Sequence, residues 1–232
     1  MMKKSYCLLL FFLVCIGWKG QSLAGNVRQA SEWTLEEEKV GQVVFRSADT
    51  SLKLVPLSDG AVRVIRSKGI AHEVPELVYL QTEAPSYTLK KGKDTYLLSL
   101  KGLKVQVGVS DGRVSFLSAD GKEILGEEGS QIQPSVVQGE KTYVSTQTFH
   151  SPSDEYLYGL GQFQDGYLNV RGLTRRLTQV NTQIAIPFVM SNRGYGLLWN
   201  NYGLTDFNPA SSVVALHKTG VLGDKATANV TS

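Results

Sequence analysis

From residue 42 onward the chain alternates apolar and polar side chains with a period of two. The pattern runs through 42–46, 52–57, 61–66, 96–100, 103–109 and 113–117, with a short piece at 123–125. Successive side chains on a strand point to opposite faces, so each run predicts a strand with one buried face. Three turns punctuate the runs: Ser58-Asp59-Gly60, Ser110-Asp111-Gly112 and Ala119-Asp120-Gly121. Asp-Gly tolerates the positive φ that a tight hairpin needs. Further strands are predicted at 143–149, 184–190 and 194–199, with a less regular one at 212–217. No stretch carries a 3.6-residue apolar period, and no fixed-period repeat of the blade or solenoid kind occurs. The expected fold is all-β, a large and mostly antiparallel β-sandwich.

The two ends read differently. Met1-Met2-Lys3-Lys4 precedes an apolar run at 6–18, and Ser22-Leu23-Ala24 follows before Gly25. A basic start, a short apolar core and small residues at −3 and −1 make a secretory signal, with cleavage between Ala24 and Gly25. The apolar run is shorter than the roughly 20 residues that span a bilayer. Both cysteines, Cys7 and Cys15, fall inside this segment, so the mature chain is expected to carry no disulfide and no thiol chemistry. Lys3, Lys4 and Lys19 fall there too, with no acid, so removing the segment takes the net charge from +3 to 0. The basic balance therefore belongs to the targeting segment and supplies no argument for nucleic acid. Residues 25–41 form a polar lead with the run Glu36-Glu37-Glu38, the sandwich is assigned to 42–222, and 223–232 is small and polar. That tail reads as a linker or as the start of a following domain.

The chemistry is sparse. Tyr158 to Gly172, Y-G-L-G-Q-F-Q-D-G-Y-L-N-V-R-G, opens with G-x-G, but position 164 is Gln and no helix pattern follows. It fails as a nucleotide loop on spacing and on context. His72, His150 and His217 are far apart, so no metal set is indicated, and no cofactor is implied. No G-x-S-x-G elbow occurs. A glycosidase needs two carboxylates, and the acids near the glycine-rich stretch are Asp154, Glu155, Asp165 and Asp206. Asp154-Glu155 reads as a solvated turn, and adjacent strand residues face opposite ways. Asp165 is explained by its turn. Residues 156–202 are nevertheless rich in aromatics and amides, the mixture that stacks on and hydrogen-bonds to sugars.

Five segments then appear in order: Y-L-Y-G-L-G-Q at 156–162, L-N-V-R-G at 168–172, Q-V-N-T at 179–182, I-P-F-V-M-S at 186–191 and G-Y-G-L-L-W-N-N at 194–201. Together they resemble the N-terminal β-sandwich of glycoside hydrolase family 31, a galactose-mutarotase-like supersandwich found in α-glucosidases and α-xylosidases. The resemblance covers about residues 42–208. It implies a downstream (β/α)₈ barrel that carries an Asp nucleophile and an Asp acid/base and retains the α configuration. Neither barrel motif is present, so no catalytic residue is assigned within this chain and its status as an enzyme on its own stays open. The resemblance also implies that a sandwich loop reaches over the barrel mouth. That loop maps onto Gln179, Asn181, Thr182 and Gln183, with Asn181 and Thr182 facing substrate. Many relatives carry Asp where Asn181 stands; the amide removes a charge but still donates and accepts. The form Q-x-N-T-x-I-A-I-P-F, with the export signal, is similar to exported bacterial α-xylosidases of the periplasm or cell surface. The implied partners are a xyloglucan- or starch-derived oligosaccharide and the protein's own barrel, with no nucleic acid and no membrane span after signal removal. The alternative is a stand-alone carbohydrate-binding sandwich without catalysis.

Overall fold

The computed structural model describes residues 31–69, 76–79 and 83–208, and the backbone of Val213–His217 and Thr227–Thr231. The expected signal segment, with its expected Ala24–Gly25 cleavage, and both cysteines lie outside the described residues. Every regular element among the described residues is a strand.

Four strands make the first sheet, in the order β1 (Thr34–Lys39), β2 (Gln42–Ser47), β3 (Thr50–Ser58), β4 (Ala61–Lys68), all antiparallel. Six make the second: β5 (Thr88–Lys91), β6 (Thr95–Ser99), β7 (Leu103–Gly108), β8 (Val114–Ser118), β9 (Glu123–Val137) and β10 (Glu140–Phe149), neighbours in chain order. The alternation read from the sequence is the burial pattern of these strands. Val43, Phe45, Leu52 and Leu54 of the first sheet and Tyr96, Leu98, Val105, Val107 and Val114 of the second form one buried cluster. Each aliphatic side chain fully buried in this way contributes about 1.5–3 kcal/mol relative to exposure. The Phe45 and Tyr96 rings meet across the layers at 4.8 Å between centroids. The sheets are also tied by Trp33 N to Val109 O at 2.7 Å and Gly102 N to Asp59 O at 2.9 Å. This is the expected all-β sandwich.

The strand list departs from expectation in places. β1 falls inside the segment read as a polar lead. It is an edge strand, held to β2 by backbone pairing and by Glu36 on Arg46 at 2.7 Å. β9 and β10 are much longer than the apolar pattern predicts, because their distal halves form a ribbon exposed along most of its length. Gln138 and Gly139, both at positive φ, make the turn. Of the three Asp-Gly turns, Gly112 and Gly121 adopt positive φ and Gly60 does not. The polar tail supplies β17 (Thr227–Thr231), which pairs with β16 (Val213–His217).

Beyond residue 150 the chain builds a second buried cluster. β11 (Leu157–Gln162), β13 (Ile184–Ser191) and β14 (Gly196–Leu198) form one sheet, and β12 (Arg175–Leu177) pairs with β15 (Thr205–Phe207). Leu160, Val170 and Val189 are buried at its centre, with Phe163, Leu173, Leu177, Leu197 and Phe207 against them. Glu76 joins this region to the first sheet. It accepts from Arg63 at 2.7 Å and from Asn200 Nδ2 at 3.0 Å. The Val78 amide, first, and then Arg63 and Asn200 hold its carboxyl below the usual carboxylate range.

Candidate functional site

The segment that the resemblance places near substrate is a tight hairpin between β12 and β13. Val180 and Gln183 form an isolated antiparallel bridge, with N···O distances of 3.3 and 3.2 Å, and Asn181-Thr182 is the two-residue tip. Both tip residues are exposed, as is Gln179. Among the described residues, the side chains of Gln179, Asn181 and Thr182 make no hydrogen bond, so their amides and hydroxyl are available to a partner. Gln183 is different. Its Nε2 donates to the Thr178 carbonyl at 2.6 Å and to the Thr178 hydroxyl at 3.3 Å, which closes the hairpin base.

The hairpin's root is held by charge. Arg176 makes a bidentate pair with Asp206 at 2.8 and 3.0 Å across β12 and β15. That bond, first, lowers the Asp206 carboxyl pKa below its ordinary value. Arg175, on the other face of β12, is buried. Its guanidinium lies 4.2 Å from the centroid of the Phe163 ring and 2.5 Å from Asp165. Asp165 and Phe163 belong to the glycine-rich stretch, so that stretch supports the hairpin's root from below.

Glu155 requires a correction. It reads from sequence as part of a solvated turn, yet it is 2% exposed. Its Oε1 accepts from the Ser191 hydroxyl at 2.5 Å and from the Tyr195 hydroxyl at 2.7 Å. Burial opposes ionisation here, but Ser191, Ser151 and Tyr195 together outweigh it and lower the carboxyl. Burial in turn, aided by the carboxylate, raises the Tyr195 phenol well above its ordinary range. Of the four acids considered, Glu155, Asp165 and Asp206 are each committed to a structural partner. Among the described residues, no group of three or more His, Cys, Asp or Glu side chains is placed to hold a metal.

One further feature adjoins the hairpin. β13 leaves the tip with Ile184, Ile186 and Met190 on one face, each about half exposed, and Leu198 of β14 beside them. The opposite face, with Val189 and Leu197, is in the second core cluster. Alternation here separates a buried face from an exposed apolar one, rather than apolar from polar. The strand is predicted from its composition, but nothing in its pattern signals that the outer face is bare.

Residues 51–208 match the glycosyl hydrolase 31 N-terminal galactose mutarotase-like domain. An α-xylosidase of Saccharolobus solfataricus is 28% identical over 172 residues, which is 69% of this chain and 23% of that protein. An uncharacterized family 31 glucosidase of Pseudescherichia vulneris is 33% identical over 143 residues, 51% of this chain and 25% of that protein. Among solved structures, a family 31 α-xylosidase from Xanthomonas citri superposes with a TM-score of 0.68 at 29% identity, covering 83% of this chain and 21% of the other. The chain thus spans about a quarter of the length of the relatives it matches. With the sandwich, the five ordered segments and a domain match over residues 51–208, the chain belongs to glycoside hydrolase family 31 and represents its N-terminal region.

Proposed function

We propose that this chain is the N-terminal domain of an exported retaining α-glycosidase of the α-xylosidase type, and that the Asn181-Thr182 tip contacts sugar at the mouth of a catalytic barrel that follows it. One observation carries the reading: an exposed, uncharged hydrogen-bonding tip continues directly into an exposed apolar sheet face. Apolar faces of this kind mark interaction surfaces. A domain packed by Ile184, Ile186, Met190 and Leu198 against a neighbour would present Asn181 and Thr182 at the junction. The α-xylosidases of S. solfataricus and X. citri among its relatives support the choice of substrate class. The signal pattern at 1–24 supports export to a bacterial periplasm or surface. Asn181 and Thr182 would bind and orient hydroxyls, while acid/base and nucleophilic groups would come from the barrel.

The test has two parts. The chain alone, assayed on aryl α-xyloside and aryl α-glucoside, is expected to give no turnover. In the protein that carries the barrel, Asn181→Ala is expected to lower kcat/KM at least several-fold with Tm unchanged. Turnover by the chain itself overturns the division of labour. Loss of folding without a separate kinetic effect makes Asn181 structural.

A further inference from the structure

The distal ribbon of β9 and β10 is exposed on both faces of β10 from Glu140 to Thr146, and β10 is the edge of its sheet. A two-stranded ribbon with no layer against it is marginally stable in water. An open strand edge also templates pairing with another chain, so natural edges are blunted by charge, short length, proline or bulges. The other three edges of the two large sheets are blunted in this way. β1 carries Glu36, Glu37, Glu38, Lys39 and a bulge. β4 carries Arg63, Arg66 and Lys68, and β5 is four residues long and ends in Lys90-Lys91. β10 lacks these devices over most of its length. Its charges are confined to Glu140 and Lys141 beside the turn, and its register shift lies at the far end, between Thr148 and Phe149. Between them runs T-Y-V-S-T-Q at 142–147, without charge, proline or glycine and rich in strand formers.

The turn fixes which backbone groups this edge offers. Gln138 and Gly139 hold φ 52° and 86°, the type I′ arrangement, whose flanking residues Val137 and Glu140 exchange both hydrogen bonds. Alternation from there turns the N–H and C=O of Glu140, Thr142, Val144 and Thr146 toward β9, and those of Lys141, Tyr143, Ser145 and Gln147 outward. Pro134, which has no N–H, stands opposite Tyr143, where β10 requires none from β9. Among the described residues, no strand pairs with β10 on its outer side, and no turn or loop hydrogen bond reaches the outward four. These four positions are symmetric about Val144. Antiparallel pairing with β10 of a second copy, about a two-fold axis at Val144, therefore joins every outward N–H to an outward C=O. Val144 then meets its own copy as a non-hydrogen-bonded pair, where side chains approach closest. Thr142 meets Thr146, and Tyr143 meets Ser145, which covers Tyr143 and Val144, each about half exposed. Lys141 and Glu140 meet Gln147 and Thr148, so no like charges oppose. Such a contact is isologous and closes at two copies, and it turns two bare ribbons into one four-stranded sheet. We infer that the outer edge of β10 is a homodimer interface, paired two-fold with β10 of a second copy of this chain. It uses neither the Asn181 hairpin nor the apolar face of β13.

The test is sedimentation equilibrium over a concentration series, run on the purified chain and on the protein that carries the barrel. A single monomer–dimer equilibrium in the micromolar range is expected for both, since one strand edge is a small interface. With rising concentration, amide exchange is expected to slow more at Tyr143 and Ser145 than at Val144, whose N–H already faces β9. Thr142→Lys/Thr146→Lys sets lysines opposite one another across the axis and is expected to weaken dimerisation about tenfold or more, with the melting curve of the dilute monomer unchanged. Thr142→Glu/Thr146→Lys sets opposite charges there and is expected to hold the dimer within about threefold of the parent. A monomer at every concentration, open-ended association, or a dimer that the lysine pair leaves intact overturns the assignment. So does a dimer lost in Ile186→Lys, which moves the contact to the β13 face. A dimer formed by the chain but not by the barrel-carrying protein also overturns it, and gives the β10 edge to a segment of that protein. If the lysine pair fails to fold, the exchange pattern at Tyr143, Val144 and Ser145 of the parent decides.

Discussion

Replacing Gly161 by alanine is expected to cost about 2–5 kcal/mol, more than a loop glycine should. Gly161 sits in β11 at φ +99°, opposite Ala185 of β13. Two effects add. Holding a non-glycine residue in a sparsely populated conformation costs about 1–3 kcal/mol. The new Cβ would also fall inside the van der Waals surface of the Ile184 carbonyl oxygen, with the Ile184 carbonyl carbon at 2.8 Å and the Ile186 nitrogen at 3.0 Å. These are backbone atoms, so no rotamer change relieves the clash. β11 must lift from β13, which forfeits one or two ladder hydrogen bonds at about 1 kcal/mol each. In a domain of 150–250 residues, each kcal/mol shifts Tm by about 2–4 °C, so the expected loss is roughly 4–20 °C.

Gly172→Ala is the control. Gly172 has φ +79°, but a Cβ added there would meet no atom within 4 Å. It incurs only the conformational cost, about 1–2 kcal/mol. Urea unfolding followed by tryptophan fluorescence, with calorimetry for Tm, measures both variants, and equal m-values confirm that the same transition is compared. A Gly161→Ala loss within 1 kcal/mol of the Gly172→Ala loss would refute the claim that backbone contact at β13 fixes this position.

Tyr195→Phe removes one of the two hydroxyls bonded to Glu155 Oε1, a charge-assisted bond whose loss costs about 1.5–3 kcal/mol. Because the folded Glu155 carboxyl lies below its unfolded value, its contribution is present above the unfolded pKa and fades as pH falls through the folded one. The variant's acid-unfolding midpoint, read by fluorescence, is therefore expected at higher pH than that of the parent; an unchanged midpoint would remove the linkage. Glu127→Gln leaves the Arg66 charge buried without its partner and is expected to cost about 3–5 kcal/mol by urea unfolding, whereas Arg66→Met/Glu127→Leu is expected to recover most of that loss. Equal losses in the single and double variants would show that packing, not charge, dominates there. Ile186→Lys in the isolated chain is expected to reduce binding of a hydrophobic dye with stability within about 0.5 kcal/mol of the parent, since its side chain is half exposed; a large stability loss would place Ile186 in a core.

The legible part of the fold is the part whose burial is one-sided. β2, β3, β6, β7 and β8 each put alternate residues into a single core, so their periodicity carries the structure directly. β1 lacks that signature because only Leu35 among its six residues is a large apolar group, and even that is exposed. The distal ribbon of β9 and β10 lacks it because its strands project past the core, so backbone pairing rather than burial defines it. Buried charges were invisible for a different reason. Arg66 and Glu127 are 61 residues apart, and Arg175 reads like its exposed neighbour Arg176. At the hairpin, the amide-rich composition was legible and the loop at Gln179–Gln183 came from the family resemblance, whereas the Val180–Gln183 bridge that closes it was not predicted. What Asn181 faces was not, because an exposed amide at a turn has the same sequence signature whether it meets water or a sugar.

The glycine-rich stretch unites these observations. Gly159, Leu160 and Gly161 all hold positive φ, an uncommon run that includes a leucine. Its effect is on register: Gly159 pairs with Val189 and Gly161 with Ala185, so two steps on β11 span four on β13. The single residue between the glycines turns inward, and Leu160, 2% exposed, becomes the centre of the second core cluster. The three residues between Ala185 and Val189 are released from pairing with β11, and Ile186 among them faces solvent. An ordinary ladder would impose strict alternation on both strands and leave no room for that bulge. The sequence spacing that fails to cradle a phosphate therefore builds a bulged strand pair. The pair fixes where β13 begins, and so where the Asn181-Thr182 tip and the bare apolar face stand relative to the core.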